Sequence, residues 1–276
     1  MIRFTPFHSS QTRVVFVNEP SNGRRRLPVN CISFMVNNRY SMTILKWTIV
    51  TAITLSLSIL SQVQANECVI LLHGLARSDS SMLKLASVLD EQGYATVNYG
   101  YPSTKHGVKK LAQEAISDAL PLCPRGSRVN FVTHSMGGIL VRQYLAIQAV
   151  ENLGRVVMLG PPNKGSQVVD VLKNFPGFEV INGPAGMQLG TESASRPNQL
   201  GAAKFDVGII AGNRSINLIL SSMLPGADDG KVTVENTKLK GMSDHLTLPV
   251  THPFMMKNDE VIEQVVNYLK EGVFSR

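Results

Sequence analysis

Short runs of apolar and β-branched residues recur along the chain, at 68–72 (CVILL), 94–99 (YATVNY), 128–133 (RVNFVT), 155–159 (RVVML) and 206–211 (DVGIIA). Runs of this kind predict strands covered on both faces of a sheet. Between them the apolar positions change to helical spacing. Met82, Leu85, Ala86 and Leu89 predict a helix over 78–92, closed by Gly93 in the C-cap role. A second helix is predicted over 108–120, ended by Pro121, and a third over 136–149 through Ile139, Leu140, Tyr144, Leu145 and Ile147. Val261, Ile262, Val265, Val266 and Leu269 place a last one over 256–270, with further strands expected at 231–235 and 246–250. Strand alternating with helix implies parallel strands joined by crossovers, an α/β three-layer sandwich around a mostly parallel sheet. Residues 161–204 break this rhythm. They are rich in Gly, Pro, Asn and Ser, and read as a cap of loops with short helical pieces.

The first 65 residues follow other rules. Lys46 precedes an uncharged, mostly apolar run over 47–60, and Val63-Gln64-Ala65 supplies the small-residue pattern for cleavage after Ala65. The run is shorter than the roughly 20 apolar residues of a membrane span. It reads as an export signal, with an uncleaved membrane anchor as the alternative. Residues 1–41 carry no periodic element, and translation from Met42 instead of Met1 would leave a signal of ordinary length. The expected organisation is therefore a basic extension plus signal over 1–65 and one domain over 66–276. The destination is periplasmic or secreted, or the membrane if the segment is retained.

Charge adds one exclusion. The formal net charge is +7, but Arg3, Arg13, Arg24, Arg25, Arg26 and Arg39 face only Glu19 in residues 1–41, and the rest of the chain is close to neutral. Nucleic-acid binding loses its main support. Cys31 falls in the leading segment. Cys68 and Cys123 remain in the domain, and one disulfide or two buried thiols are both open. No CxxC or His/Cys cluster has zinc spacing.

Candidate chemistry centres on Thr133-His134-Ser135-Met136-Gly137-Gly138, set after a predicted strand and before a predicted helix. A sharp strand-to-helix turn lifts a serine above the sheet edge, and small neighbours keep the turn free of clashes. Thr133 stands where the G-x-S-x-G pattern asks for glycine. The helix beginning at Met136 directs its N-terminal N–H groups at the serine. A second turn, His73-Gly74-Leu75, follows the first strand, and the Leu75 and Met136 N–H groups form a candidate oxyanion hole. An acid and a histidine follow the serine in the chain order Ser…Asp…His.

On these motifs the chain resembles the α/β-hydrolases, in particular compact bacterial serine lipases and esterases, with similarity to GPI-inositol-deacylase-like hydrolases. The resemblance covers about residues 67–274. It implies a minimal α/β-hydrolase fold with a mostly parallel six-stranded sheet, lacking the two strands that usually precede the HG strand. It makes Asp229, in Asp229-Gly230-Lys231-Val232, the triad acid, and His252, in Thr251-His252-Pro253, the base beside Ser135. Asp228, Asp206, Asp170 and Asp259 are the competing acids, and His245, His134 and His106 the competing histidines. The implied activity is hydrolysis of carboxylic esters, of lipid or other acyl type, through an acyl-enzyme, with no metal or organic cofactor. An acyltransferase, an amidase or a non-catalytic envelope scaffold are the alternatives. Phe175, Phe178, Met187 and Leu189 are candidates for an apolar acyl site. A monomer is expected, with a small-molecule or lipid ester as partner and possible association with a membrane surface.

Overall fold

The computed structural model describes residues 67–276; the export segment, the choice of start and Cys31 lie outside the described residues. In chain order the core elements are β1 (Glu67–Leu72), α1 (Leu83–Glu91), β2 (Ala95–Tyr99), α2 (Val108–Ala119), β3 (Arg128–His134), α3 (Met136–Leu145) and β4 (Leu153–Leu159). Three short helices follow, α4 (Gln167–Leu172), α5 (Phe178–Met187) and α6 (Arg196–Gln199). The chain then returns to the sheet with β5 (Val207–Gly212), passes α7 (Leu218–Ser221) and α8 (Val234–Thr237), and closes with β6 (Asp244–Leu248) and α9 (Asp259–Glu271). The six strands are all parallel, in the order β2-β1-β3-β4-β5-β6.

Alternation along the strands sorts their side chains into two cores. Ile70, Leu72, Phe131, Met158 and Ile209 face α2 and α3, and pack with Leu111, Ile116, Ile139 and Leu140. Val69, Leu71, Val132, Val157 and Ile210 face the other way, onto Leu85 and Leu89 of α1 and Val261, Val265 and Leu269 of α9. Both faces of the sheet are covered, which is why the strand sequences are continuous apolar runs and not alternating ones. The layers agree with the sequence reading, and the six strands with the number that the resemblance implies.

Two expectations change. Residues 231–235 are not a strand of the sheet. Asp229 Oδ1 accepts the Lys231 and Val232 N–H groups, and the Thr233 hydroxyl caps α8 by accepting the Asn236 N–H, so the segment's donors are spent locally. Only an isolated bridge from Asp228 to Thr233 remains. The third helix also stops at Leu145 instead of running to 149. Residues 161–204 hold the three short helices α4 to α6, with α5 kinked at Gly183.

Cys68 at the start of β1 and Cys123 before β3 form a disulfide, with Cα atoms 5.7 Å apart. It closes a loop of sequence separation 55, which in the chain-entropy account restricts the unfolded state by about 4 kcal/mol. We expect reduction, or the Cys68→Ala/Cys123→Ala pair, to lower the melting temperature by roughly 10 °C. Calorimetry with and without reductant checks this, and equal melting temperatures would contradict it.

Candidate active site

The strand order reverses at β1: the chain passes from β1 to β2 on one side and then crosses back over β1 to β3 on the other. Crevices at such switch points, at the carboxyl ends of the strands, are where open α/β sheets bind ligands. Leu72 pairs in register with Thr133, so the His73-Gly74 turn after β1 and the His134-Ser135 turn after β3 emerge side by side. A Cβ on Gly74 would lie 3.2 Å from the Ser135 Cβ.

Ser135 has φ 53° and ψ −120°, a conformation that costs a non-glycine residue about 1–3 kcal/mol. Its N–H donates to the Leu159 carbonyl of β4 at 2.8 Å, tying the strained turn to the sheet. Small residues make the rest of the turn feasible. A Cβ on Gly137 would meet the Leu72 carbonyl oxygen at 2.6 Å, so only glycine lets α3 start this close to β1. A Cβ on Gly138 would stand 3.2 Å from Thr133 Oγ1 and 3.1 Å from Met158 Sδ. The space left by Gly138 thus accommodates the threonine that departs from the usual pattern.

Three predicted residues from distant parts of the chain meet at this turn. The Ser135 hydroxyl donates to His252 Nε2 at 3.0 Å, and the His252 Nδ1–H donates to Asp229 Oδ2 at 2.7 Å. The second carboxylate oxygen of Asp229 accepts the Lys231 and Val232 N–H groups at 3.0 and 2.9 Å, and the His252 N–H donates to the Asp229 carbonyl at 2.9 Å. Asp229 is 1% exposed and His252 7%. Leu75 lines the cavity above the serine, and Met136 is the first residue of α3. Neither N–H has an acceptor among the described residues, so both donors are free for a ligand oxygen.

The competing residues are occupied elsewhere. Asp228 accepts from Ser221 Oγ and from the Gly230 N–H. Asp206 binds Tyr268 and Ser243, Asp170 binds Thr191, and Asp259 pairs with Lys84. His245 sits near the amino end of β6, bonded to Thr237. His134 is buried beside the serine. Its Nε2–H donates to the His252 carbonyl at 2.9 Å, which leaves Nδ1 as a bare acceptor with no partner among the described residues. Burial pushes its pKa well below the ordinary 6.5, and the nearby His252 and Arg77 push it the same way.

A cavity of about 910 Å³ opens above Ser135. Phe175, Phe178 and Leu189 line it, as their apolar character suggests, but Met187 does not. Sequence reasoning missed the opposite wall. Ser215, Ile216, Asn217 and Leu220, around α7, face the same space, and the apolar run 216–220 between β5 and Asp229 was the available signal. It also passed over Arg77 and Lys231, which line the cavity too. Phe175, Val180, Ile181, Ile216, Leu218 and Ile219 are exposed around it.

Protonation of the buried histidines gives one prediction. Burial lowers the pKa of His73, His134 and His245 in the folded protein, so the unfolded chain takes up protons first as pH falls through about 6.5. The stability these neutral rings contribute is present above that pH and declines below it, by up to roughly 1.4 kcal/mol per pH unit for each histidine. His134→Gln keeps a donor for the His252 carbonyl but cannot titrate. Urea unfolding at pH 7.5, 6.5 and 5.5 is expected to show a shallower acid decline in this variant; an unchanged slope would remove His134 from the account.

No protein-family model matches the chain, and no curated protein is similar to it in sequence. Solved structures are similar in fold. The mature form of the lipase BlEst2 from Bacillus licheniformis aligns with a TM-score of 0.54 at 20% identity, over 70% of this chain and 87% of that one. Its propeptide form gives 0.60 at 21%, over 77% and 52%. The metagenomic carboxyl esterase MGS0156 gives 0.51 at 18%, over 68% and 65%. This chain thus spans about half of the propeptide form but most of the mature one. These likenesses do not bear on the GPI-inositol-deacylase resemblance. With its six parallel strands, its two helical layers and these neighbours, the chain has the α/β-hydrolase fold.

Proposed function

We propose that this protein is an exported serine hydrolase that cleaves carboxylic esters of lipid or other acyl type. The observation that carries the reading is the unbroken hydrogen-bond path from the Ser135 hydroxyl through His252 to Asp229, at 3.0 and 2.7 Å. His252 Nε2 accepts the serine proton as Oγ attacks the ester carbonyl, and Asp229 holds the ring in the tautomer that leaves Nε2 free. The free Leu75 and Met136 N–H groups receive the oxyanion, where loss of one donor typically costs about 10²–10³ in kcat. Protonated His252 then gives its proton to the leaving alcohol and activates the water that clears the acyl-enzyme. The apolar wall of Phe175, Phe178 and Leu189, and the exposed apolar side chains around the mouth, suit an acyl chain and contact with a lipid surface. Lipases and a carboxyl esterase among proteins of the same fold support the same chemistry.

The test is hydrolysis of p-nitrophenyl esters from acetate to palmitate, with labelling by a fluorophosphonate mapped by mass spectrometry. We expect turnover and a label on Ser135. Ser135→Ala loses both, and Asp229→Asn lowers kcat about 10⁴-fold through the wrong histidine tautomer. Folded protein with neither turnover nor label would leave a non-catalytic scaffold.

Export rests on the apolar run 47–60, the small-residue site ending at Ala65, and the Cys68–Cys123 disulfide, which suits an oxidising compartment. The intact mass of the protein recovered from its host's envelope or medium is expected to begin at Asn66. Any peptide from residues 1–41 would show that translation begins upstream of Met42.

A further inference from the structure

Arg77 and Lys231 stand on two different loops and line the same cavity as Ser135. The backbone of each is held firmly. Ala76, at φ 52°, donates its N–H to Ser103 Oγ at 3.1 Å, which fixes how Arg77 leaves the turn after β1. Lys231 donates its N–H to Asp229 at 3.0 Å, and its carbonyl accepts from Ser166 Oγ at 2.6 Å. Neither side chain has an acidic partner among the described residues, although Lys84, Lys164, Lys173, Arg155 and Lys238 all do. Asp229 is the one carboxylate lining the cavity, and His252 and two backbone N–H groups already take its oxygens.

The two cations feel each other. Desolvation at the cavity wall, and then the positive charge of Arg77, lower the pKa of the Lys231 ammonium, while the charge of Asp229 acts the other way. Arg77 also acts against a charge on His134, next to the nucleophile. A domain close to neutral overall therefore sets two cations against the single carboxylate of Asp229 in the cavity above Ser135, a local excess of positive charge. A cleft of this kind raises the local concentration of anions and favours their binding.

We propose that the preferred substrate is an amphiphilic ester with a negatively charged group, its anion held by Arg77 and Lys231 and its apolar chain laid along Leu172, Phe175 and Phe178. This deepens the ester-hydrolase reading and rests on it. The guanidinium pairs with the anion in a forked geometry and the ammonium acts as a point charge. Both position the alcohol side of the ester while Ser135 attacks the carbonyl.

The test uses monomeric dihexanoyl phosphatidylglycerol (anionic), dihexanoyl phosphatidylcholine (zwitterionic) and p-nitrophenyl hexanoate (uncharged), each below its micellar concentration. The readout is the ratio of kcat/KM for the anionic to the zwitterionic ester. In the wild type this ratio exceeds one and falls as salt is raised. In Arg77→Gln/Lys231→Gln it drops about tenfold, mainly through KM, and loses its salt dependence. In Arg77→Glu/Lys231→Glu it inverts. A ratio that is the same in wild type and both variants, with p-nitrophenyl hexanoate still hydrolysed, overturns the assignment and leaves the hydrolase reading intact. Loss of all three activities in the wild type would instead defeat the hydrolase reading.

Discussion

The register between β1 and β3 is the constraint on which the site depends. With Leu72 opposite Thr133, the turn carrying the Leu75 N–H and the turn carrying Ser135 leave the sheet at the same level. A slip of one residue would invert every side chain of the slipped strand. It would exchange Ile70 and Leu72 for Val69 and Leu71 in the core against α2 and α3. Core packing on the two faces therefore enforces the same alignment that the chemistry needs. Gly137 follows from it, since α3 can begin beside the Leu72 carbonyl only where no Cβ intervenes.

The acid and the histidine are positioned by backbone more than by side chains. Asp229 folds its own loop by accepting two N–H groups, and its carbonyl accepts the N–H of His252, so the two residues are joined both through the ring and through the main chain. From the other side, His134 holds the His252 carbonyl. A neutral His134 is well suited to this place. In the proposed mechanism a charged ring would repel the imidazolium formed at His252, and burial keeps that second charge away. Beneath the cap, Arg142 of α3 gives the same kind of support. It donates to Asn163, Pro197 and Gly201 with no carboxylate partner among the described residues, and burial lowers its pKa to about 10. The helix that begins after Ser135 thereby also anchors the segment 161–204 above it.

What was legible in the sequence had a periodic or a local cause. Buried parallel strands must be apolar on both faces, so CVILL announces β1, and the tight turn at Ser135 needs small residues that are visible as Gly137 and Gly138. Asp229 came from the resemblance, on its D-G-x-V turn, and the structure places its carboxylate against His252 because that turn folds within its own few residues. The segment 231–235 misled because its β-branched residues suit a strand. Their N–H groups are instead taken by Asp229 and Thr233, a local competition that apolar pattern does not record. Arg77 and Lys231 escaped because a surface cation is ordinary in sequence. Their meaning comes only from the shared cavity and the absent acidic partner, both of which are properties of tertiary structure. Nor could Cys68 and Cys123 be paired with certainty until β1 and β3 were neighbours.

The two sides of the cavity differ in how firmly they are built. The side that carries Ser135, His252 and Asp229 is threaded by hydrogen bonds to the strand ends. The opposite walls are short helices, α4, α5 and α7, with Val180 88% and Leu218 78% exposed and few bonds to the sheet. Such segments open at lower free energy than a packed core. On the proposed function, precision is thus concentrated where a proton must move across 3.0 Å, and adaptability where an acyl chain has only to be covered. An apolar wall discriminates weakly between neighbouring chain lengths, whereas fixed charges discriminate sharply between a substrate that bears an anion and one that does not. Under the proposed function, selectivity falls to the polar end of the substrate, and the acyl end is free to vary.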